Sequence, residues 1–302
     1  MTAYNLQLKL CIKFGQYDKN IKVWIGCDTV EHLHRKERVA AILKILSDNP
    51  YRVISLGHFS ELFDSARSTL SEDITIVKKV VDYLKCGYVE TVAGAAGGVR
   101  YIPGISKEEE CNFIVELCNM LKNPGRIIPG GFIYMNDIIY SPEISSKVGL
   151  IIAQQFRDKK PEYVLTVETK GIPIAMMTAK ALNIPLVIVR RDSKVTEGST
   201  VSINYISGSS KRIQTMSLSK RSVKSGSRCI FVDDFMKAGG TANGIIELMK
   251  EFDCTVDGIG VLVESETSTK KVVDEYISLL RLDSVDEENQ KVNIEPAEIF
   301  NK

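Results

Sequence analysis

The sequence predicts an α/β protein in two parts: an N-terminal winged helix-turn-helix, then a domain built on a largely parallel sheet. Three observations carry that expectation. Between Arg35 and Leu84, apolar residues recur at helical spacing in three short blocks, and two β-rich runs split by glycines and alanines follow directly. From Tyr163 to Val263, strand-like and helix-like segments alternate, as they do where parallel strands are joined by crossover helices. Pro103-Gly104 punctuates the chain between the two patterns.

At 302 residues the chain is long enough for two domains, and its 44% apolar and 25% charged content is that of an ordinary soluble globular protein. A formal charge of +1 argues against a uniformly basic nucleic-acid binder but averages over local asymmetry: Arg190 to Arg228 holds nine Lys/Arg against two Asp/Glu. Seven cysteines without CxxC spacing read as free or buried thiols rather than a disulfide framework or zinc site, so the expected location is a reducing cytoplasm. No apolar run is long enough to span a membrane, and Met1 to Leu10 is too short and too polar for a signal-peptide core.

Residues 1–33, with Trp24, Cys11 and Cys27, show no sustained period and read as an extension without an assigned role. His32 and His34 at its end have no cysteine nearby and read as incidental rather than metal-binding. Residues 34–104 form the winged helix-turn-helix. Val39, Ile42, Leu43 and Leu46 mark one face of a first helix that stops near Ser47-Asp48-Asn49-Pro50. Ser55 is the expected N-cap of a second, with Phe59, Leu62 and Phe63 inward. A third opens within Ser65 to Asp73, where Thr69 and Glu72 have capping-box spacing, and continues its apolar face through Leu70, Ile74, Val77, Val81 and Leu84. Gly87 to Val92 and Val99 to Ile102 make the two strands of the wing.

A winged module of this kind lays its third helix in the major groove. Arg67, Ser68, Ser71, Lys78 and Lys79 on that helix, with Arg100 on the wing, are the expected DNA contacts. Hydroxyls donate to phosphates or base edges, and arginine reads guanine. The local surplus of base over acid is slight and winged helices also bind proteins, so a protein-binding adaptor stays open.

Residues 105–302 form the second domain. Ser106 and Glu109 have capping-box spacing ahead of a helix carrying Phe113, Ile114, Leu117 and Leu121. The expected strands are Tyr163 to Val167, Pro185 to Val189, Cys229 to Val232 and Gly258 to Val263; the expected helices are Ser146 to Phe156, Ile172 to Leu182 and Gly240 to Phe252. A basic insertion from Arg190 to Gly226 breaks the alternation, with Val201 to Ile206 and Lys211 to Met216 as candidate strands. Arg191, Lys194, Lys211 and Arg212 are its candidate anion contacts.

Ligands of such sheets bind beyond the carboxyl ends of the strands, and two loops fit that rule. One is expected after Val232, where Asp233-Asp234-Phe235-Met236-Lys237-Ala238-Gly239-Gly240-Thr241 runs into a helix. Its glycines let a phosphate approach the unpaired N–H groups of the helix start, Thr241 adds a hydroxyl, and Asp233 and Asp234 accept from sugar hydroxyls. Neither GxxxxGK[ST] nor GxGxxG occurs. The loop resembles instead the signature of type I phosphoribosyltransferases, which grip the ribose-5-phosphate of phosphoribosyl pyrophosphate (PRPP). In the other loop, Thr169, Lys170 and Gly171 offer a cation and close backbone approach to the pyrophosphate.

With a winged helix ahead of that domain, the chain resembles the purine operon repressor family of Gram-positive bacteria. The likeness rests on Gly94-Ala95-Ala96-Gly97-Gly98 with Tyr101-Ile102-Pro103, Pro129-Gly130-Gly131, Thr169-Lys170-Gly171-Ile172-Pro173, Lys194 to Tyr205, and Asp233 to Thr241. It runs from about Arg35 to Leu280. It implies a homodimer on double-stranded operator DNA, with PRPP as effector at Thr169, Lys170, Gly171, Asp233, Asp234, Lys237, Ala238, Gly239, Gly240 and Thr241. It also implies competition from guanosine alarmones such as ppGpp, and no required cofactor; whether Mg²⁺ accompanies PRPP is left open. Phe132 stands where the family commonly has tyrosine, which keeps stacking on a base and loses a hydroxyl contact.

The expected function is a transcriptional repressor of purine biosynthesis and related genes, released from its operator by PRPP. No catalytic residue is expected. Lys237-Ala238 stands where enzymes of this fold usually carry threonines or an alanine-threonine pair, and no positioned general acid or base for a purine is found. The alternative is an active phosphoribosyltransferase with an appended regulatory domain.

Overall fold

The computed structural model describes residues 33–94, 96–192, 198–206, 213–266 and 271–300. Most of the predicted extension lies outside these residues, as do Lys194, Lys211 and Arg212 of the insertion.

The winged helix is built from α1 (Arg35–Asp48), α2 (Leu56–Phe63), α3 (Arg67–Tyr83), β1 (Gly87–Val92) and β2 (Gly98–Pro103). Ser55 caps α2 as expected, its hydroxyl accepting from the His58 N–H at 3.0 Å. The capping box expected at Thr69 and Glu72 is not one: Ala66 is the N-cap of α3, and both residues lie inside the helix. Asp64 in the left-handed region (φ 45°) makes the turn instead, and Glu72 pairs with Arg35 at 3.1 Å. Ile42, Leu46, Phe59, Leu70, Val77 and Val81 form the core with Val99 of the wing. Into that core goes an ion pair. Asp73 is fully buried and takes the guanidinium of Arg38 at 2.6 Å and that of Arg35 at 3.3 Å, which bolts α3 to α1. The wing strands pair antiparallel from Gly87↔Pro103 to Val92↔Gly98.

The second domain begins with α4 (Lys107–Leu121), capped by Ser106, and the short hairpin β3 (Ile127–Ile128) and β4 (Phe132–Ile133). It continues through α5 (Asn136–Ile139), α6 (Pro142–Phe156), β5 (Tyr163–Val167), α7 (Ile172–Leu182) and β6 (Leu186–Val189). The insertion is a hairpin, β7 (Thr200–Ile206) with β8 (Ile213–Ser219). Then come β9 (Arg228–Met236), α8 (Gly240–Lys250), β10 (Thr255–Ser265), β11 (Ile277–Asp286) and β12 (Lys291–Pro296). Six strands form one sheet in the order β12-β11-β10-β9-β5-β6, parallel except for β12.

Alternation along β9 explains its unbroken apolar run: Ile230 and Val232 join the core on one face, Cys229 and Phe231 the core on the other. A strand buried on both faces needs no polar phase. Burial pushes the Cys229 thiol up to about 12 and the Cys118 thiol up to about 11, so both stay protonated at neutral pH. Among the described residues no helix is long and apolar enough to cross a membrane.

Contacts at and near the boundary join the two parts, among them an ion pair between Lys85 and Glu108 of α4 at 3.5 Å. Ile105 N–H donates to Gln154 Oε1 of α6 at 2.5 Å, the Asn183 side-chain amide at the end of α7 donates to Pro50 O at 2.8 Å, and Tyr51 packs on the second core.

Candidate functional site

β9 does not stop at Val232. Backbone pairing with β10 continues through Val261↔Asp233, Val263↔Phe235 and Glu264↔Met236. The acidic pair is therefore on the strand, not in the loop where the sequence places it. On the opposite side, β5 pairs with β9 only from Tyr163↔Cys229 to Leu165↔Phe231. Beyond that point the two strands part, and the turn Glu168 to Gly171, whose first peptide is cis, enters the gap. Gly171 is there because nothing larger fits: a Cβ would stand 2.3 Å from Asp233 Oδ1 and 2.7 Å from Thr166 Oγ1. The two predicted loops thus meet at one point. Nothing in the sequence singles out Thr166; its hydroxyl is buried beneath that contact with no hydrogen-bond partner among the described residues.

Burial and like charge set the electrostatics of this point. Burial, and then the adjacent charge of Asp234, raise Asp233 well above the ordinary carboxylate range, while Arg191 pulls weakly the other way. Burial raises Asp234 too, opposed by its hydrogen bond with Asp233 and by the Lys170 charge. Asp234 N–H donates to Asp233 Oδ1 at 3.0 Å. A pair in this condition gains from any ligand that donates hydrogen bonds to it, as a vicinal diol does.

Next along the chain, Gly239 in the left-handed region (φ 79°) is the N-cap of α8, with Gly240 buried behind it, Thr241 half-buried and Lys237 exposed. The first N–H groups of α8 have no partner within the helix, and free N–H groups at a helix start favour an anion. The insertion hairpin packs on this same helix, through Tyr205 and Met216 against Gly244. Arg191, at its entry, donates its N–H to Glu168 Oε1 at 2.8 Å. Thr169 and Lys170 are exposed beside it.

Phe132 is not brought to the acidic pair. It stands 66% exposed on β4, and its hairpin is anchored by Glu287, whose Oε1 accepts from the N–H groups of Gly130 at 2.8 Å and Gly131 at 2.5 Å. Glu287 follows β11, the second strand over from β9, and lies six residues beyond Arg281, which is level with Met236 across β10.

On the winged helix, Arg67, Ser68, Ser71 and Lys79 are exposed on α3. Lys78 is tied to the wing, its ammonium donating to Thr91 Oγ1 at 2.8 Å. Arg100 is paired across the wing with the Glu90 carboxylate, which offsets its charge. Among the described residues no group of three or more His, Cys, Asp or Glu could hold a metal ion.

Residues 34–103 match the family model for the N-terminal domain of the bacterial purine repressor, and residues 135–297 match that for the phosphoribosyl transferase domain. The purine biosynthesis transcriptional repressor PurR of Bacillus subtilis (strain 168) is 50% identical over 261 residues, which are 86% of this chain and 92% of that protein. The chain belongs to the bacterial purine repressor family. Two further relatives widen the picture of that family. The probable purine biosynthesis transcriptional regulator PurR of Streptococcus pneumoniae serotype 4 is 45% identical over 271 residues, 89% of this chain and 98% of that one. The purine biosynthesis transcriptional activator PurR of Lactococcus lactis subsp. lactis is 41% identical over 269 residues, 89% of this chain and 99% of that one. In this purine repressor family member, then, a DNA-binding type of domain precedes a phosphoribosyltransferase-type sheet whose carboxyl edge carries the acidic pair.

Proposed function

We propose that this family member is a DNA-binding transcriptional repressor of purine biosynthesis and related genes, and that PRPP binding to its second domain releases it from operator DNA. The observation that carries the reading is the meeting of Gly171 with Asp233, directly before the N–H groups of α8. Asp233 and Asp234 accept from the ribose hydroxyls, Gly239 to Thr241 take the 5-phosphate, and Thr169, Lys170 and Gly171 take the pyrophosphate. Guanosine alarmones such as ppGpp share the polyphosphate chemistry and compete, with Phe132 available to stack on a base. Where Mg²⁺ accompanies PRPP, its shell need not include a protein carboxylate, since Mg²⁺ often keeps waters and ligand oxygens. The domain supplies binding without turnover, since Lys237 and Ala238 replace the hydroxyl-bearing part of the loop.

On the DNA side, Arg67, Ser68, Ser71 and Lys79 meet the major groove, Lys78 braces the wing, and Arg100 contributes less because Glu90 holds it. A homodimer presents two such helices to paired operator boxes. PRPP lowers operator affinity only by binding the DNA-free state better. Helix α7 supplies a route: it starts at Gly171 in the pyrophosphate turn and ends at Asn183, which holds Pro50 of the winged helix.

A mobility shift with purine-operon upstream DNA should show a complex that PRPP dissociates. No complex across a salt series reaching low ionic strength sinks the proposal, and so does robust transfer of ribose-5-phosphate to any nucleobase.

A further inference from the structure

A compact polar cluster closes the carboxyl edge of β10, outside every group assigned above. Glu264 Oε2 accepts from the Lys271 ammonium and from Tyr276 OH at 2.5 Å, while Oε1 accepts from Ser278 Oγ at 2.8 Å. Lys271 Nζ also donates to Tyr276 OH at 2.7 Å and lies 4.8 Å from its ring centroid. The side chains of Glu264 and Lys271 are each only 15% exposed, so this is an enclosed ion pair with its remaining lone pairs satisfied. Burial pushes the Glu264 carboxyl up, but its three donors outweigh burial and hold it below its ordinary value.

The cluster fixes the segment that follows Lys271, and that segment lies on the glycine loop. Val272 N–H donates to Ala238 O at 3.0 Å. Val273 is buried against Gly239, where a Cβ would stand 2.8 Å from Val273 Cγ2. Glu264 is itself the strand partner of Met236, the last residue of β9 before the loop. The loop is thus held from its own strand and from the segment laid across Ala238 and Gly239.

We infer that Glu264, Lys271 and Tyr276 are positioning residues of the phosphate loop: they clamp Val272 and Val273 against Ala238 and Gly239 and so fix the N–H groups that receive a phosphoryl group. The inference rests on the reading of Gly239 to Thr241 as the PRPP 5-phosphate site. A loop that is preformed spends no affinity on ordering, whereas one that visits the competent shape a tenth of the time binds about tenfold more weakly.

The test is calorimetric titration of the full chain with PRPP, alongside operator binding without PRPP and amide hydrogen exchange at Val272. Glu264→Gln keeps the shape and removes the ion pair. The expected result is a PRPP Kd raised roughly tenfold, unchanged operator affinity and faster exchange at Val272. Tyr276→Phe, which removes one donor, should raise the Kd roughly threefold and carries the test if Glu264→Gln fails to fold. A merely structural role predicts a lower Tm with wild-type PRPP affinity, and that result overturns the clamp. A wild-type chain that binds no PRPP overturns instead the effector reading, and the clamp's role falls with it.

Discussion

Two acidic centres in this chain are treated in opposite ways. Asp73, fully buried between α1 and α3, is matched by Arg38 at 2.6 Å and Arg35 at 3.3 Å. Asp233 and Asp234 stand side by side at the end of β9, and among the described residues neither forms an ion pair. The first carboxylate holds a frame together; the second pair is raised by burial and by like charge, with no cation bound to either member among the described residues. A charge the protein neutralises for itself holds structure, and one it raises and leaves without a counter-charge marks a candidate ligand site.

Breaking the two centres should therefore have opposite consequences. Asp73→Ala leaves Arg38 buried without a counter-charge and should cost about 3–5 kcal/mol. Calorimetric scanning should show early melting of the winged helix and loss of operator binding, with PRPP binding retained by the second domain. Asp233→Asn should do the reverse. The raised carboxyl of the folded chain holds a proton that the unfolded chain releases, so wild-type stability falls as pH rises from the ordinary carboxylate range toward the folded value. Asparagine has no such loss, so its Tm should exceed the wild type's at neutral pH, and the gain should vanish in acid, where both are neutral.

Smaller effects sharpen the link between the centres. Asn183→Gly removes the amide that holds Pro50 while keeping a residue suited to the left-handed C-cap (φ 55°). It should leave PRPP and operator affinities separately near wild type and weaken their coupling by about 1 kcal/mol, read as a smaller PRPP effect on operator Kd. Least of all should Arg100→Ala matter: with Glu90 holding that guanidinium, Arg67→Ala should weaken operator binding more and flatten its salt dependence by about one counterion.

The sheet was legible in the sequence because its central strands are buried on both faces and punctuated by turns, and the winged helix because α2 and α3 each carry a clear apolar face. Ends were less legible. Asp233 and Asp234 read as loop because aspartate is rare in strands, yet β10 runs past Val232 and keeps β9 paired to Met236. In β11, Arg281, Asp283 and Ser284 interrupt the apolar run, and neither it nor β12 was expected. Local chemistry singles out the residues of both candidate loops, but not that Gly171 is wedged against Asp233, which depends on where β5 and β9 diverge. Glu264, Lys271 and Tyr276 carry no local motif. Only the connection from β10 to β11 brings them together.

The central claim, that the unmatched pair on β9 senses PRPP, is tested most directly by titrating PRPP into preformed operator complexes of the wild type, Asp233→Asn and Asp234→Asn. The account predicts that all three bind the operator, that PRPP dissociates the wild-type complex, and that it leaves both variant complexes intact. Release of either variant at the wild-type PRPP concentration would contradict it.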